Sequence, residues 1–259
     1  MKTSHVFPRH TNYDLPFAVK GDGCYIIDKN GKRYLDASGG AAVSCLGHSD
    51  ETIRKAIIKQ TEELAFAHTS FFTSDPAEKL ATLLANNSPE GINKVYFVSS
   101  GSEAVEASLK LARQYFVEIG EPERHRIISR KQSYHGNTLG ALAAGGNITR
   151  RTYFEKIMLE TSSISPCYPY RNKNNNETET EYGLRVANEL EDEIITLGAK
   201  NVMAFIAETV VGATAGAVTA VPGYFKRIRE ICDKYGILLI LDEVMCGMGR
   251  TGSLFACDE

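Results

Sequence analysis

Apolar positions along this chain keep two spacings, and the two alternate. Short continuous runs are Val95-Tyr96-Phe97-Val98, Arg126-Ile127-Ile128-Ser129, Val202 to Ala207 closing on Glu208, and Ile237 to Leu241 closing on Asp242. Other stretches place apolar residues at helical intervals: Ile53, Ile57 and Leu64, then Leu80 with Leu83 and Leu84. Val105, Leu109, Ala112, Phe116 and Ile119 follow the same rule, as do Phe225, Ile228, Cys232 and Tyr235 between Pro222 and Gly236. Such intervals put side chains on one helix face, and a proline before and a glycine after are helix boundaries. Near-continuous apolar strands need cover on both faces, so strands alternating with helices predict an α/β fold with a mostly parallel sheet flanked by helices. Ahead of it, Cys24 to Ile27 and Arg33 to Leu35 surround Lys29-Asn30-Gly31, which predicts a β-hairpin in the N-terminal segment. Arg171 to Glu181 is nearly devoid of apolar residues and is predicted to be an exposed loop. No internal repeat is found.

Composition narrows the class without naming a chemistry. The 259 residues are 43% hydrophobic and 24% charged, enough to bury a sizeable core. A net charge of −3 gives no electrostatic case for nucleic acid or a membrane surface. The clusters Arg124-His125-Arg126 and Arg150-Arg151 are short and read as solvated surface. Six cysteines stand far apart with no C-x-x-C, which favours reduced thiols over a disulfide framework. The six histidines show no metal-ligand spacing, so no metal site is expected. The N-terminus lacks a signal-like apolar stretch and no run reaches membrane-spanning length, so a cytoplasmic protein is expected.

In parallel sheets, ligands bind beyond the carboxyl ends of the strands, and here those ends carry the polar residues. Ser100-Gly101-Ser102-Glu103 has capping-box spacing at the start of an amphipathic helix, where free amides and the helix dipole suit a phosphate. Tyr134 offers a face for stacking on a flat ring. Asp242 closes a wholly apolar strand, and a carboxylate there is costly unless it meets a cation or donor. A protonated pyridine nitrogen is such a partner, and the pair makes the ring an electron sink. Two other patterns fail. Gly247-Met248-Gly249-Arg250-Thr251-Gly252 matches G-x-G-x-x-G but is not at a strand–helix turn, and Leu238 to Glu243 imitates a Walker B strand with no Walker A loop anywhere.

Taken in order, Ser99-Ser100-Gly101-Ser102-Glu103-Ala104, Tyr134-His135-Gly136, Ala207-Glu208 and Leu241-Asp242-Glu243-Val244 resemble class III aminotransferases of the fold-type I pyridoxal-phosphate superfamily. Asp36-x-x-Gly39, Leu46-Gly47-His48 and Gly247-x-Gly249-Arg250-Thr251-Gly252 extend the resemblance over nearly the whole chain. The resemblance implies pyridoxal 5'-phosphate as cofactor. Gly101 and Ser102, with Ser100 beside them, would hold its phosphate. Tyr134 would stack on one ring face and Val244 on the other, with Gly136 and Met245 lining the site. Asp242 would pair with the pyridine nitrogen, and Glu208 would sit beside the ring near Asp242. His135 is read either as a packing histidine or as a direct participant.

Departures from the family pattern bear on substrate. Members that bind a second carboxylate place Arg after the His-Gly step, where this chain has Asn137. Ornithine-type members have Glu where Ala213 stands, and the usual Gln is Met245. These point to the branch acting on amines and ω-amino acids, with a 2-oxo acid such as pyruvate as acceptor. The resemblance also implies a homodimer. It places residues 1–50 with the small domain and 51–259 in an incomplete cofactor-binding large domain. The family's Schiff-base lysine would fall past Glu259, and no lysine follows Asp242 in this sequence. These residues alone are therefore expected to be inactive. A non-catalytic remnant with a binding or assembly role is the alternative, and aminomutase or decarboxylase chemistry stays open within the same cradle.

Overall fold

A computed structural model describes residues 4–9 and 11–259, which divide into two compact units, Met1–Lys79 and Leu80–Glu259. In the first, β1 (Ala18–Asp22), β2 (Tyr25–Asp28) and β3 (Arg33–Leu35) form an antiparallel sheet in that order. The predicted hairpin is β2–β3. Asp28 closes its turn by accepting from the Asn30 and Lys32 amides. β1 adds a strand the pattern did not announce. A single helical turn α1 (Gly39–Ala42) precedes α2 (Glu51–Glu63), which Asp50 caps by accepting from the Ile53 amide at 2.9 Å. α3 (Asp75–Asn86) follows. The apolar faces of α2 and α3 form as predicted but stay uncovered: Ile53, Ile57, Leu80 and Leu83 are 40–61% exposed. Leu64 lies just past α2, as its C-cap.

The second unit holds the parallel sheet. Its strands are β4 (Arg126–Arg130), β5 (Thr161–Ile164), β6 (Val202–Glu208) and β9 (Leu238–Asp242), in the order β5-β4-β6-β9. All three pairings are parallel, and every residue of β6 is buried, as a central strand requires. One face is covered by α4 (Gly101–Glu118), whose Val105, Leu109, Ala112 and Phe116 pack against Ala204 and Ile206, and by α5 (Leu139–Ala144). Ile119 is not part of that buried stripe; it is the exposed C-cap.

On the other face lie α8 (Glu179–Leu197) and α9 (Tyr224–Tyr235), burying Tyr182, Leu190, Ile228 and Ile231 with Phe205. Gly236 ends α9 in the left-handed conformation, at φ 62°, and turns the chain into β9. The short helices α6 (Ile148–Arg151) and α7 (Pro169–Asn172) and the two-residue strands β7 (Val210–Val211) and β8 (Val218–Thr219) complete the unit. All six cysteines are free, and burial pushes the Cys232 thiol up to about 12.

Three expectations are corrected. The run Val95–Val98 forms no strand and pairs with none among the described residues, and Tyr96 is 79% exposed. An apolar run becomes a strand only where a neighbour takes its amides and carbonyls, and none does so here. Residues 171–181 are not one exposed loop. Their start belongs to α7, and their end opens α8 through a complete Thr178/Glu181 capping box. The arginine clusters are not simply solvated either. Arg124 donates to the carbonyls of Ala199, Val202 and Tyr235, Arg126 pairs with Glu160, and Arg151 donates to the carbonyls of Ala143 and Gly145.

Candidate active site

The start of α4 is built as its sequence suggests. Ser100 is extended, and its hydroxyl accepts from the Glu103 amide at 3.2 Å. The Glu103 carboxylate accepts from the Ser99 amide at 2.7 Å, one residue earlier than a standard capping box. The Gly101 and Ser102 amides meet no acceptor among the described residues, so the positive end of an 18-residue helix keeps two free donors.

The loop after β4 is locked onto that helix. Ser102 Oγ donates to Asn137 Oδ1 and accepts from the Asn137 amide, both at 3.0 Å. Glu106 accepts from the amides of Gly140 and Ala141, so a carboxylate of α4 caps the start of α5. Gly136 lies at φ 134°, and a Cβ there would come within 2.7 Å of Ser102 Oγ and 2.9 Å of Ala141 Cβ. Only glycine fits that conformation and that gap. Tyr134 is half-buried, with the Arg150 guanidinium 4.6 Å over its ring.

Asp242 ends β9 in register with Glu208 at the end of β6. One Asp242 oxygen lies 2.8 Å from His135 Nδ1, and the other accepts from the Val244 amide at 3.1 Å. The two side chains of that pair are 0% and 7% exposed, His135 and Asp242 respectively. Val244 lies against Gly101, where a Cβ would meet Val244 Cγ1 at 3.0 Å. Met245 packs on Gly212. Glu208 is buried, burial pushes its carboxyl up, and its Oε2 has no partner. His135 Nε2 and Thr138 Oγ1 are likewise buried and unpartnered.

The structure thus brings together Ser100, Gly101, Ser102, Gly136, His135, Val244, Asp242 and Glu208 at the carboxyl ends of β4, β6 and β9. Tyr134 follows β4 and Asp242 ends β9, with β6 between them. Two cavities, of about 580 and 530 Å3, lie beside Gln132 and Asn172, and Tyr134 and Asp242 line neither. Sequence reasoning missed Arg130, 2% exposed at the end of β4, and the Arg150 cover on Tyr134. Arg130 had the same signal as Asp242: an ionic residue closing an apolar strand.

A parallel sheet of this order with helices on both faces, with this site at its strand ends, defines the fold-type I transferase class. The description Aminotransferase class-III matches residues 7–259, and the chain belongs to that family. An uncharacterized aminotransferase of Schizosaccharomyces pombe is 48% identical over all of this chain and 56% of its own length. A putrescine–pyruvate aminotransferase of Pseudomonas aeruginosa is 35% identical over 98% of this chain and 57% of its own. Among solved structures, an omega transaminase from Pseudomonas jessenii in complex with PMP superposes with a TM-score of 0.91 at 31% identity, over 97% of this chain and 57% of that one. The chain therefore spans a little over half the length of these relatives.

Proposed function

We propose that this chain forms the cofactor-binding part of an enzyme that uses pyridoxal 5'-phosphate to move an amino group from an amine or ω-amino acid to a 2-oxo acid such as pyruvate. The observation that carries the reading is the buried His135–Asp242 pair, joined through Val244 against Gly101 to a helix start with two free amides. The donor set fits the cofactor. Gly101 and Ser102 would bind the phosphate through their amides, with Ser100 shaping the turn. Tyr134 would stack on the ring from one side and Val244 pack on the other. Asp242 would hold a proton on the pyridine nitrogen, and His135 would orient that carboxylate by donating from Nδ1. Glu208, Gly136 and Met245 would line the surroundings. Bound there, the cofactor supplies the electron sink that eases bond cleavage at the amino carbon.

Substrate class rests on Asn137, Ala213 and Met245, which put no cation or carboxylate where dicarboxylate-handling relatives need one. Asn137 is occupied with Ser102. The whole protein is proposed to be a cytoplasmic homodimer. Residues 1–50 are proposed to contribute to its small domain and 51–259 to its cofactor-binding domain. Among the described residues no helix is long and apolar enough to cross a membrane.

Residues 243–259 contain no lysine. We therefore expect residues 1–259 by themselves to hold the cofactor without a covalent link and not to transaminate. The test is an absorbance spectrum with added cofactor, then borohydride reduction and peptide mass analysis. Cofactor trapped on one specific lysine of residues 1–259 would overturn this. Product analysis of the full chain with an amine donor and pyruvate tests the reaction, separating it from aminomutase and decarboxylase chemistry.

A further inference from the structure

We infer that Glu208 carries a proton in the cofactor-free protein and gives it up when pyridoxal phosphate binds, so that cofactor capture is coupled to the discharge of a buried carboxyl group. The inference rests on the cofactor assignment above.

Four ionisable side chains converge beneath the strand ends. Arg130, His135 and Glu208 are 2%, 2% and 6% exposed, and the Asp242 side chain 7%. Glu208 and Asp242 pair in register on parallel strands, so both point to the same face, with the strands about 4.8 Å apart. Two carboxylates so placed and shielded from water cannot both ionise cheaply. Their surroundings decide which stays charged. Asp242 has two donors, His135 Nδ1 and the Val244 amide, whereas the Glu208 carboxyl has one, the Tyr134 amide, and its Oε2 has none.

Arg130 donates to the backbone carbonyl of Glu208 and lies 5.9 and 5.8 Å from the rings of Tyr224 and Phe225, and among the described residues it forms no ion pair. Beside it, Cys167 and Tyr224 are kept neutral by burial. Glu243 is held elsewhere, by Thr209 Oγ1 and the amides of Ala256 and Cys257. Burial raises the Glu208 carboxyl and Asp242 adds to that, against His135, Arg130 and the Tyr134 amide, and the net direction is upward.

With Glu208 and His135 both neutral, the guanidinium of Arg130 balances Asp242 and the buried set has no net charge. A neutral His135 that gives its Nδ1–H to Asp242 keeps a bare Nε2, and that atom is buried and unpartnered. A protonated Glu208 supplies the missing donor, and a hydrogen bond from its O–H satisfies both orphaned atoms, directly or through one water. A protonated pyridine nitrogen set against Asp242 adds one positive charge. Ionisation of Glu208 restores neutrality: its O–H bond breaks, the electron pair stays on the carboxylate, and the proton leaves to solvent.

The experiment uses the full chain freed of cofactor, and pyridoxal phosphate as the probe. Infrared difference spectra of wild-type protein carrying 13C-labelled glutamate should show the loss of one protonated-carboxyl stretch on cofactor addition, absent in Glu208→Gln. Calorimetry in two buffers of different ionisation enthalpy should show wild type releasing about one proton more per cofactor bound than Glu208→Gln. Wild-type affinity should rise with pH up to the Glu208 pKa and then level, and the variant should lack that rise. An unchanged carboxyl band while visible absorbance shows the cofactor bound, or equal proton counts in both proteins, overturns the inference alone. No cofactor binding by wild type overturns the cofactor assignment, and the inference with it.

Discussion

At the scale of single residues, Asp242 and Glu177 make opposite use of a carboxylate. Asp242 is shielded and held by His135 and the Val244 amide. On the proposed reading its charge would meet the cofactor's ring nitrogen. Asp242→Ala in the full-length enzyme should lower kcat by about 10²-fold or more while weakening cofactor binding much less, because it removes charge stabilisation that matters most in the transition state. Near-wild-type turnover in single-turnover kinetics would refute the assignment.

Glu177 instead serves the fold. Its carboxylate takes two donors from Arg185, at 2.7 and 2.9 Å, and Arg185 holds it well below its usual 4.5, at about 2. An acid depressed on folding stabilises above its unfolded pKa and loses that contribution as pH falls through its folded value. Wild type should therefore lose melting temperature between about pH 5 and pH 2 more steeply than Glu177→Gln, and parallel melting curves would remove this role.

At the scale of elements, two contacts decide how tightly the helices sit. Gly183 in α8 faces the approach to α9: a Cβ there would lie 2.7 Å from Val221 Cγ2 and 3.2 Å from the Pro222 carbonyl oxygen. Alanine gains up to about 1 kcal/mol in helix propensity, but overpacking costs about 1–3 kcal/mol. Gly183→Ala should thus lower stability by roughly 1–2 kcal/mol in denaturant titration, and a stabilised variant would show the contact to be soft. Arg124, with a side chain only 13% exposed, joins carbonyls from the 3-10 turn after α8, the start of β6 and the end of α9. Arg124→Met keeps the stem and strands those carbonyls, for a loss of about 2–3 kcal/mol. An unchanged midpoint would mean that water replaces the guanidinium.

Legibility followed how locally each element is determined. β4 and β6 are readable because they are buried and so appear as largely unbroken apolar runs, and β9 reads the same way although its residues are half-buried at the sheet edge. α4 and α9 are readable from one-sided periodicity plus a cap. β5 escaped because its sequence, Thr-Ser-Ser-Ile, has hydroxyls where an edge strand meets less apolar cover. Val95–Val98 shows the converse: an apolar run fixes what a segment could do, while pairing depends on a neighbour elsewhere in the chain. In the site, Asp242, Tyr134 and the α4 start stood out because their residue types are out of place for packing. The Asp242–His135 bond did not, since it joins residues 107 apart.

At the scale of the whole molecule, Phe66, Phe71 and Phe72 are exposed at 78%, 79% and 66%. Clustered aromatic exposure of this kind marks an interaction surface. If the full-length protein is a homodimer built on this patch, Phe71→Ser with Phe72→Ser should shift it toward monomer in light scattering, and an unaltered dimer would place the interface elsewhere.

The contact of Val244 with Gly101 has a further consequence, in time rather than space. Each strut of the site joins distant parts of the chain: Ser102 to Asn137 across 35 residues, His135 to Asp242 across 107. Contacts of such long sequence separation carry a loop-closure cost that is met late. During synthesis the His135–Asp242 pair cannot form until β9 has left the ribosome and docked beside β6. Acquisition of the cofactor's colour by a nascent or refolding chain would then clock the last docking event, not the first collapse.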